Sequence, residues 1–153
     1  MLRIQGQWQL LRWVRLTDTG EVTWPFGQSA TGMLIYADDG RMMVQMMAGN
    51  RPNLNTDNPL TGDTDARAAA YSSYLAYFGT FRIDRSDDRA VIHQIEGSSF
   101  PDWSGTVQER PFTLEREDDG EKFTDILTLS TPPVRIDGIA VVNEMAWIRN
   151  SRR

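Results

Sequence analysis

Apolar and polar residues alternate along most of this chain in short runs, and the runs end at Asp/Gly turns. Turn signals stand at Asp18-Thr19-Gly20, Asp38-Asp39-Gly40, Asp87-Asp88, Asp118-Asp119-Gly120 and Asp137-Gly138. Glycine accepts positive φ there and aspartate bonds its own backbone. Between the turns the pattern predicts eight strands, at about 7–15, 30–37, 41–47, 78–84, 90–99, 104–116, 123–130 and 139–149. Short antiparallel strands in sequence, joined by tight turns, predict an all-β, eight-stranded up-and-down barrel. Such a barrel removes its own edges and leaves room for one small ligand.

One segment has a different period. In 63–77, DTDARAAAYSSYLAY, Asp63 or Thr64 can cap a helix, and Tyr71, Tyr74, Leu75 and Phe78 recur at helical spacing. This predicts one helix near a barrel end. The polar Asn/Pro/Gly run before it, 48–62, reads as a lid over the barrel mouth or as a plain surface crossover.

Period-2 alternation sorts the strand faces. Val91, His93 and Ile95 share the more apolar side of 90–99, so His93 is expected inside. Gln108, Arg110, Phe112 and Leu114 share the inward side of 104–116. Gly79, Phe81 and Ile83 look inward on 78–84, and Phe123, Leu127 and Leu129 on 123–130. The first strand is ambiguous, since Trp8, Leu10, Arg12 and Val14 oppose Leu11 and Trp13. Met33, Met42, Met43, Met46 and Met47 crowd one hairpin, and alternation lets only about half of them face inward.

The length of 153 residues fits one domain spanning the whole chain, 1–153. A net charge of -5 with no basic stripe argues against a nucleic-acid partner. Much of the acidity sits in the turns, as a solvated rim. With no cysteine and a single histidine, a thiolate or histidine metal site is not expected, and no dinucleotide or phosphate-loop motif calls for a cofactor. No run approaches the roughly 20 apolar residues of a membrane helix. The first residues lack the apolar core and cleavage site of a secretory signal, so a cytoplasmic protein is expected.

Two residues carry candidate chemistry. The imidazole of His93 can act as acid or base near neutral pH, or be an ordinary core histidine. A buried guanidinium at Arg110 needs a partner, either an anionic or carbonyl ligand or an internal carboxylate such as Glu96, Glu144 or a loop aspartate. Glu96 could join His93 only if a bulge near Gly97 re-aims it. Tyr36, Tyr74 and Tyr77 can offer phenolic hydrogen bonds or simply pack, and Asn143 can orient a polar ligand atom. Tyr36, Tyr77, Phe81, His93, Gln108, Arg110 and Asn143 are thus the candidate ligand-binding set. His93 and Arg110 are the candidate catalytic pair.

The ordered segments Gly6-Gln7-Trp8, EVTWPFG (21–27), TGMLIYADDGRMMVQMM (31–47), YLAYFGTF (74–81), HQIEGSSFPDWSGT (93–106), Gln108 with Arg110, LTLSTPP (127–133) and Trp147-Ile148-Arg149 together resemble the bacterial and fungal lipocalin-like domain family. The resemblance covers nearly the whole chain. The chain departs from it at His93-Gln94, where family members often carry two adjacent histidines. The resemblance implies that Trp8 plugs the closed end with Arg149 stacked on it. Trp24-Pro25-Phe26-Gly27 and Pro101-Asp102-Trp103 are expected as structural turns, the latter with a bulge at Gly105.

Two functions stay open at this point. One is binding of a small, mostly apolar organic molecule inside the barrel. The other is cofactor-free chemistry (isomerase, cyclase, hydratase or dehydratase type) on a natural-product or aromatic intermediate in the same pocket, with His93 moving a proton and Arg110 stabilising negative charge. A third reading makes Trp13, Trp24 and Trp103 an exposed interaction patch, and burial of such a patch in a homodimer would explain them equally well.

Overall fold

The computed structural model describes residues 3–84, 86 and 89–152. The chain runs β1 (Gly6–Thr17), β2 (Val22–Thr23), β3 (Thr31–Tyr36), β4 (Arg41–Met47), α1 (Thr64–Ser72), β5 (Tyr74–Ile83), β6 (Ala90–Ser98), a short 3-10 turn (Pro101–Trp103), β7 (Val107–Asp118), β8 (Lys122–Ser130), β9 (Val134–Ile136) and β10 (Ile139–Arg152). Neighbours pair antiparallel in the order β1-β3-β4-β5-β6-β7-β8-β10, and β1 pairs with β10 to close the sheet. The result is the expected eight-stranded barrel. The short strands β2 and β9 are additions at its rim, on β1 and β10. The turn expected at Asp87-Asp88 lies outside the described residues.

Alternation becomes burial as expected on most strands. Leu34, Tyr36, Met42, Val44 and Met46 point into the core, as do Val91, His93, Ile95, Leu127 and Leu129. Met33, Met43 and Met47 face out, so the methionine hairpin divides between its two sides. Burying a side chain of this size contributes about 2 kcal/mol.

The ambiguity of the first strand has a structural cause. Leu10 pairs with Trp147 and Arg12 with Ala146, which leaves Leu11 as an extra residue in a bulge. The bulge reverses the phase of the strand. Trp8 and Leu10 point inward before it, and Trp13 after it. A single alternation template therefore fits neither half with the other.

The helix is shorter than the sequence pattern predicts. Asp63 caps it, accepting from the backbone N–H of Asp65 and Ala66 at 3.0 Å. It ends at Ser72, and Tyr74 already belongs to β5. Tyr71, Tyr74, Leu75 and Phe78 satisfy a helical spacing, but Leu75, Tyr77, Gly79 and Phe81 satisfy a strand period equally well. The strand prevails because β4 and β6 offer ladders on both sides. Tyr74 consequently faces out, hydrogen-bonded to Gln45 with Arg51 over its ring, and offers nothing to the interior.

Between β5 and β6, Phe78 pairs with Gly97 and Gly79 with Ile95, so the bulge sits at Glu96. Gly105 lies instead in the turn before β7, with φ of 82°. Gly79 has a packing reason. A Cβ there would stand 1.9 Å from the Gln94 carbonyl oxygen, so only glycine lets β6 bend this closely.

One end of the barrel is shut by a clasp. Trp8 is buried, its indole N–H donating to the Ile4 carbonyl at 2.7 Å. The Arg149 guanidinium stacks 4.1 Å from its ring centroid, as the resemblance implied. Arg149 also donates to the Gln5 and Arg3 carbonyls and to Asp125. Gly6, at φ of 124°, leaves the space through which the guanidinium passes, since a Cβ there would lie 2.8 Å from Nη1.

Candidate functional site

The other end holds a cavity of about 530 Å³. Its walls include Trp13 from β1, Met46 from β4, Leu75 and Tyr77 from β5, Trp103 from the 3-10 turn, and Met145 from β10. Arg15, Gln108, Arg110, Asn143 and Pro132 also line it, as do Val107, Glu109, Thr131 and Val134. An apolar, aromatic wall with a few polar groups is the composition of a small-molecule site. A second hollow, of about 560 Å³, lies on the outer face beside Met43 and Phe78 and has no buried charge. No residue of the 48–62 run lines the interior cavity. Arg51 ties that run back, donating to Ser73 Oγ and the Ala70 carbonyl.

The expected ligand set divides in two. Tyr77, Gln108, Arg110 and Asn143 line the cavity, while Tyr36, Phe81 and His93 lie behind it. Tyr36 and His93 are fully buried. Phe81 packs on Tyr36 with centroids 4.5 Å apart. The imidazole sits between two phenols, with Tyr36 Oη 2.6 Å from Nε2 and Tyr77 Oη 3.0 Å from Nδ1. Burial, helped by the Arg110 charge, lowers the His93 pKa to about 3, so the ring is neutral at ordinary pH. Burial pushes both tyrosines up, with Arg110 opposing it. Gln94 faces outward, away from this group.

Arg110 is buried, and among the described residues no carboxylate pairs with it. It donates to the Glu109 carbonyl at 2.9 Å and to the Gln108 side-chain carbonyl. The internal partners expected as alternatives are engaged elsewhere: Glu96 with Arg41 and Glu144 with Arg12, both at the surface. The bulge that could have re-aimed Glu96 toward His93 exists, yet Glu96 points out of the barrel.

Across the cavity, Asn143 Oδ1 accepts from Trp13 Nε1 at 3.1 Å and from Arg15 Nε at 3.5 Å. Its NH2 group is left as a donor. Trp103 stands edge-on to Tyr77, with centroids 5.8 Å apart. Trp13 packs edge-on against Phe26, at 4.7 Å, so the 24–27 turn supports the cavity wall from behind. These contacts correct the reading of Trp13, Trp24 and Trp103 as an exposed patch: Trp13 and Trp103 face the cavity, and Trp24 is half-buried.

The sequence reading missed Asp125, Arg15 and the lining roles of Trp13 and Trp103. Asp125 is a buried carboxylate at the closed end, held by Arg116 at 2.6 Å and Arg149 at 2.8 Å. Its signal was present, because it occupies the inward phase of Phe123, Leu127 and Leu129. Among the described residues no cluster of side chains could hold a metal ion, and no helix is long and apolar enough to cross a membrane.

A closed eight-stranded barrel, shut by an Arg-on-Trp clasp and open into an aromatic cavity, defines a small-molecule-binding class of fold. The chain matches the lipocalin-like domain family over residues 5–149 and belongs to it. It is 35% identical over 112 residues to a protein of Aspergillus oryzae named 4'-hydroxy-3'-methoxypropiophenone carrier protein ppsC. That match covers 69% of this chain and 94% of the relative. No solved structure matches the chain. Family and relative together support binding of a small molecule.

Proposed function

We propose that this protein binds one small, mostly apolar and aromatic organic molecule inside the barrel and carries it without transforming it. The observation that carries the reading is Arg110, a buried guanidinium on the cavity wall with no carboxylate partner among the described residues. Such a charge is costly to bury, and an oxygen-bearing ligand compensates it. Tyr77, Gln108, Arg110 and Asn143 act as polar anchors, while Tyr36, Phe81 and His93 support them. The relative's name as a carrier of an aryl ketone supports a ligand of this size and character.

Cofactor-free catalysis is the second reading, and the phenol–imidazole–phenol chain adjoining the cavity favours it. Against it stands the depressed basicity of His93, which makes a poor proton acceptor. Native mass spectrometry with 4'-hydroxy-3'-methoxypropiophenone tests both. Carriage predicts a one-to-one complex that releases the compound unchanged, with weaker binding in Arg110→Ala. Conversion of the compound, abolished in His93→Ala, would establish catalysis instead. Absence of any complex would defeat the carrier reading for this ligand class.

A further inference from the structure

The direction of the hydrogen bonds behind the cavity follows from counting donors and acceptors. Tyr36 is fully buried, and its hydroxyl has one partner among the described residues, His93 Nε2. A neutral imidazole has one N–H and one bare nitrogen. If Nε2 carried the proton, it would donate to Tyr36 Oη, and the Tyr36 hydrogen would be stranded in the core. A buried donor left unsatisfied is destabilising. The Tyr36 O–H therefore donates to a bare Nε2, and the His93 proton resides on Nδ1. Nδ1–H then donates to Tyr77 Oη at 3.0 Å. The Arg110 guanidinium, which can only donate, lies beside the same hydroxyl. With its oxygen accepting from the imidazole, Tyr77 has its own proton left to give, and it lines the cavity together with Arg110.

We infer that Tyr77 O–H and the free N–H groups of Arg110 converge as a two-donor cradle for one acceptor-only oxygen, a carbonyl or carboxylate, at the end of an apolar ligand. Tyr36 and His93 are positioning residues that fix the direction of the chain. The inference rests on the binding function proposed above and adds which ligand atom is recognised and by what. The same cradle disfavours a ligand that must donate a hydrogen to it, because the Tyr77 O–H and the Arg110 N–H groups are both donors.

Three measurements test it. The chain has one histidine, so its long-range 1H–15N spectrum needs no assignment. The inference expects a protonated Nδ1 and a bare Nε2 at pH 7; protonation at Nε2, or at both nitrogens, overturns it. The second measurement compares propiophenone with propylbenzene, which has the same carbon skeleton without the carbonyl. Wild type should bind the ketone about tenfold more tightly, the difference one hydrogen bond to a charged donor can supply. Tyr77→Phe and Arg110→Gln should each remove most of that preference while still binding propylbenzene. Tyr36→Phe should let His93 change tautomer, and the carbonyl stretch of bound propiophenone should move back toward its unbound value. Equal affinity for the two probes in wild type overturns the cradle and leaves the binding function standing. Failure of wild type to bind either probe overturns both.

Discussion

At the residue scale the most exposed balance of forces is at Asp125. Its carboxylate is buried and held by two guanidinium groups, of which Arg149 also closes over Trp8. Hydrogen bonding from Arg116 chiefly, and from Arg149, lowers its pKa below the ordinary carboxylate value against the opposing effect of burial. Asp125→Ala leaves two guanidinium groups without their carboxylate, and both reach solvent, so the loss is that of their hydrogen bonds and packing rather than of a stranded buried charge. Asp125→Ala should therefore lower the urea midpoint at pH 7 and loosen the closed end. The sign of the pH dependence follows from the depressed pKa. The stabilisation is complete above the unfolded-state value near 4 and is lost as pH falls through the lower folded-state value. Urea titrations at pH 7 and pH 3 should show the wild-type advantage over Asp125→Ala shrinking at the lower pH, and an advantage undiminished there would contradict the assignment.

At the scale of elements, the helix and the β5–β6 ladder make opposite predictions. Helix α1 buries none of its residues, so its contribution is local. Asp63→Ala removes the cap and should cost about 1 kcal/mol of helix stability. Hydrogen exchange should speed up over 65–72 while barrel amides stay protected. Gly79→Ala acts on the barrel itself, because the added carbon meets the Gln94 carbonyl. Overpacking against backbone costs about 2 kcal/mol or more, and the urea midpoint should fall accordingly. Legibility from the sequence divides along the same lines. On β6 and β7 the set that includes His93 or Arg110 is the more apolar of the two, so both were visible as inward residues even though Ile92 on the other side of β6 is also buried. On β1 a single bulge at Leu11 reverses the phase, which hid Trp13 and Arg15. The boundary between α1 and β5 was hidden differently, by an aromatic run that fits two periods at once. Trp103 sits in a turn, where periodicity says nothing about direction. The contact between Tyr36 and His93 spans 57 positions and follows only from barrel closure.

For the molecule as a whole, the fold makes a single imidazole the reporter of its mid-range pH response. His93 is the one histidine in the chain, so no other side chain has an ordinary pKa near 6.5. Its folded-state pKa is about 3, depressed by burial first and by Arg110 second. Between these values the unfolded chain binds a proton that the native barrel refuses, so stability falls as pH drops below 6.5. Each pH unit in that window corresponds to about 1.4 kcal/mol, or about 2 kcal/mol at pH 5. Carboxylates begin to contribute below pH 5, so the window from 6.5 to 5 isolates the histidine. Urea titrations across it should show wild type losing stability steadily. His93→Gln should start lower, having lost its hydrogen bonds to Tyr36 and Tyr77, but should run nearly flat. A wild-type curve as flat as the variant's would mean that the imidazole accepts its proton in the folded barrel. A ligand bound in the cavity should leave this slope unchanged while raising the whole curve, since it stabilises the native state without exposing the ring behind Tyr77.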